Sequence, residues 1–205
     1  IVVLATGAIA LNVSNLFSNV GDTIRTAFFQ VSSIITTTGF VTTNYDLWPT
    51  FSKMILMLLT VIGACAGSTG GGIKVSRLIM LVKSVSQEIR GMIHPRAVKN
   101  VKLEGRTVDK ATLDSVTVFF SAYILILLGS TLLVAIDGFD MVTTSTAVLT
   151  CIGNVGPGLS MVGPVGNFSE FSILSKLVLC FDMLAGRLEL FPMLILFTPR
   201  TWKRN

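Results

Sequence analysis

Charge is what this sequence has least of. Asp, Glu, Lys and Arg make up 13% of the 205 residues, about half the share of an ordinary soluble domain. Apolar residues account for 51%, and the mean hydropathy is +0.76. That balance excludes a water-soluble domain and implies an integral membrane protein. Histidine occurs once, as His94 beside Pro95 in a basic stretch. A membrane protease needs a Ser activated by a base, and the apolar segments offer no histidine for it. Cysteines are few as well. Cys65, Cys151 and Cys180 are odd in number, lie in apolar runs and lack metal-ligand spacing, so they read as small buried residues. The chain opens at Ile1 without Met or a basic region, which leaves a signal peptide unsupported. Residues 1–11 are apolar but would span only about 16 Å of a hydrocarbon core of about 30 Å. The expectation is a cut first helix, in a fragment of a longer protein.

The charge that is present is concentrated. Nine of the sixteen Lys and Arg residues fall between Lys74 and Lys110, and Arg200, Lys203 and Arg204 crowd the other end. These clusters flank apolar spans, so nucleic acid is a poor explanation. The positive-inside rule places both clusters in the cytoplasm, with Trp202 as an interfacial anchor.

Two short apolar segments stand out, Thr23–Ile35 and Met141–Ile152. At about 12 or 13 residues each is too short to cross and fits a re-entrant helix. Each leads into a polar, glycine-containing stretch, "TTTGF" (36–40) and "GNVGP" (153–157). Long spans are predicted from Trp48–Pro49 to Cys65, from Ala111 to Ile136, and from Glu170 to Phe197. The first is interrupted by "GSTGGG" (67–72) and resumes as "IKVSRLIMLVKSV". A shift of 117 residues sets Gly39 on Gly156, and a shift of 119 sets Ala66–Gly67 on Ala185–Gly186. A re-entrant segment returns to the side it came from, so the two units are parallel repeats about an axis along the membrane normal. The domain reading is a first unit over 1–92, a basic cytoplasmic loop over 93–110 and a second unit over 111–205.

Non-helical backbone at membrane depth is tolerated only where protein buries it or where it lines a wet cavity. Such a loop can be an interhelical turn, or it can aim carbonyl oxygens at a central axis, as in potassium-channel filters. Thr36, Thr37 and Thr38 would add hydroxyls while packing their methyl groups behind the loop, and Gly39 supplies freedom at positive φ. Gly153, Asn154, Val155 and Gly156 would occupy the same levels, with the Asn154 side chain bracing the loop backbone. Two equivalent loops, each after a short helix, favour a pore. "GSTGGGIK" is not a phosphate loop, because Ile73 separates Gly72 from Lys74 where that motif needs Gly-Lys-Ser/Thr. Arg187 lies in the last span between Asp182 and Glu189. Neither spacing shares a helix face well, so Arg187 either makes an interhelical salt bridge or faces a pore. Asp182 has no assignment. Lys74 and Arg77 read as snorkelling residues.

"TTTGF", "GACAGSTGGGIKVSRL" (63–78), "IGNVGPGLS" (152–160) and "GRLELFP" (186–192), in this order, resemble the TrkH/KtrB/HKT superfamily of potassium transporters. The resemblance implies an all-α integral membrane fold of tandem parallel helix–pore-loop–helix repeats around a pseudo-fourfold, channel-like axis. This chain would supply the third and fourth units. It implies filter glycines at Gly39 and Gly156, and potassium held by the carbonyls of Thr37, Thr38, Asn154 and Val155. It further implies an intramembrane gate at Gly67, Ser68, Thr69, Gly70, Gly71 and Gly72, and an electrostatic barrier at Arg187. No cofactor is implied, only K⁺ as the transported ion. The implied partners are the N-terminal half of the same protein, a second copy in a homodimer, the lipid bilayer, and a cytosolic nucleotide-binding ring of the TrkA/KtrA type. The implied location is the inner (plasma) membrane. The function expected is K⁺ uptake, with Na⁺/K⁺ co-transport or non-selective cation passage as the alternative. A non-conducting scaffold is a third possibility, which predicts no loss of transport when the loop glycines are changed.

Overall fold

The structure, a computed structural model, describes residues 1–17, 19–63, 65, 67–68, 70–93, 101–103 and 106–187. Seven α-helices carry it: α1 (Val2–Val13), α2 (Val20–Ile35), α3 (Thr50–Val61), α4 (Val75–Ile93), α5 (Lys110–Val134), α6 (Met141–Gly153) and α7 (Ile173–Arg187). Four two-residue strands complete it. β1 (Ile62–Gly63) pairs in parallel with β2 (Ile73–Lys74), and β3 (Lys102–Leu103) pairs antiparallel with β4 (Arg106–Thr107).

Each half has the same order of a helix, a second helix too short to cross, a loop and a further helix. At 1.5 Å per residue the 16 residues of α2 reach about 24 Å and the 13 of α6 about 20 Å, both short of a bilayer core. Asp140 caps α6 by accepting the Thr143 amide at 3.0 Å, whereas Asn19 gives α2 no side-chain cap. α5 continues through a 3₁₀ turn to Asp137. Among the described residues it is the one helix long and apolar enough to cross a membrane, with a mean hydropathy of 2.3. Gly138, at φ 78°, ends it.

In both halves the short helix packs against the helices that flank it, and α3 against α6 joins the halves. One core contains Ile9, Val31, Ile34, Tyr45 and Leu56, and it takes in Val155 and Leu159 from the second half. A second core gathers Val134, Val148, Val162, Phe171 and Leu179.

The structure corrects one expectation about the helices. The span predicted to run to Cys65 and break at 67–72 leaves its helix at Val61 and resumes at Val75. The reason lies in the return strand. Ile73–Lys74 docks beside Ile62–Gly63, so the chain must leave and re-enter at one level, and the glycine run forms the tip of the excursion. The equivalence expected between Gly67 and Gly186 fails with it, since Gly67 sits in the excursion and Gly186 lies within α7. The tail beyond Arg187, including Glu189 and Trp202, lies outside the described residues. So do His94, half of the basic loop, Ala66 and the gate residue Thr69.

Candidate functional site: two loops in one hydrogen-bond frame

The first loop is tied to the end of the helix that precedes it. The Thr37 amide donates to the Ile34 carbonyl at 3.0 Å, and the Thr38 amide donates to the Ser33 carbonyl at 2.9 Å. These two bonds form a Schellman termination, in which the residue after the cap sits in the left-handed region. That residue is Thr37, at φ 55°. In the second loop the Asn154 amide donates to Cys151 at 3.0 Å, and the Val155 amide donates to Thr150 at 3.0 Å. Asn154 is at φ 53°. Donors, acceptors and torsions thus repeat at an offset of 117 residues. The offset also carries Gly39 (φ 76°) onto Gly156 (φ 104°).

This frame leaves the carbonyls free. The amides of Thr36, Thr37, Thr38 and Gly39 all donate back into α2. Among the described residues, the carbonyls of Thr36 to Gly39 and of Asn154 to Gly156 accept no hydrogen bond. Buried or half-buried carbonyls demand a partner. A row of them that faces no donor can coordinate a dehydrated cation.

The hydroxyls behave differently from expectation. Thr36 Oγ1 donates to the Ser32 carbonyl at 2.6 Å and lies 2.8 Å from Thr38 Oγ1. Both residues are exposed, and their hydroxyls staple the loop to its helix. Ser33 Oγ donates to the Phe40 carbonyl at 2.6 Å. Asn154 does not brace its own loop either. Its Nδ2 donates to the Met183 carbonyl of α7 at 3.0 Å.

The two loops touch. A β-carbon placed on Gly39 would lie 2.0 Å from the Val155 carbonyl oxygen. Only glycine lets the backbones approach this closely. The corresponding space beside Gly156 is open. A cavity of about 380 Å³ borders Asn154, Val155 and Gly156 and extends to Cys180 and Met183 on α7.

One predicted gate residue, Gly71, and the end of α7 that carries Arg187 come against the second loop. A β-carbon on Gly71 would meet the Gly153 carbonyl oxygen at 2.4 Å and Asn154 Cβ at 3.0 Å, so the excursion lies against that loop. Ser68 Oγ accepts the Gly70 amide at 3.4 Å. Gly67 and Gly72 take positive φ. Gly186 backs onto the Ile152 carbonyl and Asn154 Nδ2, which sets Arg187 immediately after this contact, at the exposed end of α7. Among the described residues no acid pairs with Arg187, and Asp182 bonds to Ser130. Arg77, expected to snorkel, lies with its guanidinium carbon 4.3 Å from the centre of the Phe119 ring.

Sequence reasoning missed the brace between the halves. Tyr45 is fully buried, and its hydroxyl donates to the carbonyls of Gly158 (3.1 Å) and Pro157 (3.3 Å). Burial, and then the Asp46 carboxylate, push its phenol far above the usual tyrosine range, so it stays a donor. Asp46 Oδ1 accepts the Ser160 amide at 3.2 Å. A tyrosine in a polar loop was the available signal, but its partners lie 112 and 113 residues away.

Comparison with known proteins shows the family and the fold. The TrkH family, described as a cation transport protein, matches residues 10–204. The chain is 41% identical over 189 residues to the Trk system potassium uptake protein TrkH of Escherichia coli K12, covering 92% of the chain and 39% of that protein. It is 36% identical over 177 residues to the potassium uptake protein TrkG of the same strain, covering 86% of the chain and 36% of that protein. The crystal structure of the potassium transporter TrkH from Vibrio parahaemolyticus superposes with a TM-score of 0.88 at 38% identity, over 99% of this chain and 43% of that one. The chain therefore spans about two fifths of the length of the relatives it matches.

Proposed function

Because the chain belongs to the TrkH family of cation transport proteins and is an integral membrane segment of that fold, we propose that it forms half of a K⁺ uptake pathway. The relatives it matches are named as potassium transporters and not as enzymes. In this reading the loops 36–39 and 153–156 are two of four walls of a selectivity filter. The carbonyls of Thr37, Thr38, Asn154 and Val155 replace part of the ion's hydration shell. The observation that supports it best is the hydrogen-bond frame repeated at 117 residues, which ties amides inward and leaves carbonyls free. The open face at Gly156 would receive a carbonyl from a further loop, as Gly39 receives Val155.

The excursion at 67–72 acts as the gate, since it leans on Gly153 and Asn154 and can obstruct the path or withdraw. Arg187 supplies a positive barrier beneath the second loop. The two missing units, a second copy and a cytosolic nucleotide-binding ring are the proposed partners. The plasma membrane is the proposed location, with the basic loop in the cytoplasm. The test is Rb⁺ and Na⁺ uptake into liposomes carrying the full-length protein. Preferential Rb⁺ entry is expected. Equal entry of both ions, or none, would contradict the reading.

A further inference from the structure

Asp182 belongs to no part of the proposed pathway, and its surroundings are unusual for an acid. It is fully buried on α7. Oδ1 accepts a hydrogen bond from Ser130 Oγ of α5 at 2.7 Å. Oδ2 is buried with no partner among the described residues. On α5, seven residues before Ser130, Tyr123 is 1% exposed and its hydroxyl also lacks a partner among the described residues. Its ring packs in the core that takes in Ala185 of α7.

No cation compensates this carboxyl among the described residues. On its own helix, Lys176 is exposed and donates to the Ser169 carbonyl, and Arg187, five residues on, is exposed. α6 offers only the Cys151 thiol, and from α4 Arg77 stands over Phe119. A buried carboxylate with one donor and no counter-charge is far costlier than the neutral acid. One proton on Oδ2 removes the uncompensated charge and leaves the unpartnered oxygen as a neutral hydroxyl.

We infer that Asp182 is a proton-binding site in the α5–α7 interface, linked to the second loop through the next residue, Met183, whose carbonyl holds Asn154. Loss of the proton leaves a charge that draws water into the interface, disturbs the 182–183 turn of α7 and loosens Asn154. The link to ion passage rests on the K⁺ pathway reading; the proton site does not.

Infrared difference spectroscopy of the full-length protein across a pH series tests the site directly. A carboxylic acid carbonyl band that disappears as the pH is raised is expected, absent in Asp182→Asn and moved to higher frequency in Ser130→Ala, which loses the hydrogen bond to Oδ1. Asp182→Asn, a mimic of the neutral acid, keeps K⁺ flux and flattens its pH dependence where the wild-type band disappears. A spectrum identical in wild type and Asp182→Asn overturns the site, whatever the flux does. If Asp182→Asn does not fold, a band unmoved by Ser130→Ala overturns it. A band lost in Asp182→Asn with the pH dependence of flux unchanged overturns the link to the loop. Failure of the pathway reading looks different, as wild-type protein that shows the band and carries no K⁺.

Discussion

The two loops share one backbone frame and are held in place by different means. The first is self-contained. Thr36, Thr38 and Ser33 bind it to its own helix or to itself, and Gly39 meets the other half at Val155 and Pro157. The second leans on its neighbours. Asn154 hangs on α7, Pro157 and Gly158 on Tyr45, Ser160 on Asp46, and Gly153 is backed by Thr60 and Gly71. Equivalent conformations thus need not have equivalent dependencies. The second loop can be moved from outside, by the excursion or by α7, and the first can be moved far less.

The largest disruption should come at the junction of α7 with the second loop. A β-carbon on Gly186 would lie 1.8 Å from the Ile152 carbonyl oxygen, and that backbone cannot swing aside as a side chain would. Gly186→Ala should cost about 3 kcal/mol, at the upper end of overpacking effects. Gly67 has a positive φ but open space around it, so Gly67→Ala should cost only the left-handed penalty of about 1 kcal/mol. Thermal unfolding of the full-length protein in detergent measures both, and equal losses would erase the distinction.

Next comes Asn154→Ala, which removes the bond to Met183 and places a less tolerant residue at φ 53°. Together these should cost about 2 kcal/mol. Thr37→Ala, at the same level of the first loop, should stay within about 0.5 kcal/mol, because no hydrogen bond of the Thr37 side chain holds that loop. Similar losses at both sites would mean that the loops depend on their neighbours alike. Tyr45→Phe falls between these two. The ring stays packed and two hydrogen bonds to the second loop are lost, for about 1 kcal/mol. An unchanged unfolding temperature would show that the Tyr45 bonds do not brace the halves.

Much of this was legible in the sequence. The short helices announced themselves by length, and Gly39 and Gly156 by their place in a 117-residue repeat. What was hidden follows from particular residues. Thr37 and Asn154, not glycines, occupy the left-handed position after each helix, and threonine is an uncommon occupant of that region. The glycine run marked an interruption but not where α3 ends, because the exit at Val61 is set by a partner strand eleven residues further on. The contacts of Tyr45 and Asp182 are long-range, and no local pattern reports such pairings. The glycine approach at Gly186 is likewise invisible until α7 is packed on α6.

The central claim is that both loops are walls of one K⁺-selective filter. The most direct measurement is the K⁺ over Na⁺ permeability ratio of the full-length protein in liposomes, for wild type, Gly39→Ser and Gly156→Ser. At Gly39 the new side chain meets the Val155 carbonyl at 2.0 Å, and its hydroxyl competes for coordination. The φ strain alone is worth about 1–2 kcal/mol, so the backbone collision dominates. The account predicts that Gly39→Ser lowers the ratio by about tenfold or more, equivalent to at least 1.4 kcal/mol of discrimination. It predicts a similar fall for Gly156→Ser, where a loop from a missing unit fills the open face. A normally expressed Gly39→Ser protein with the wild-type ratio would contradict the filter assignment.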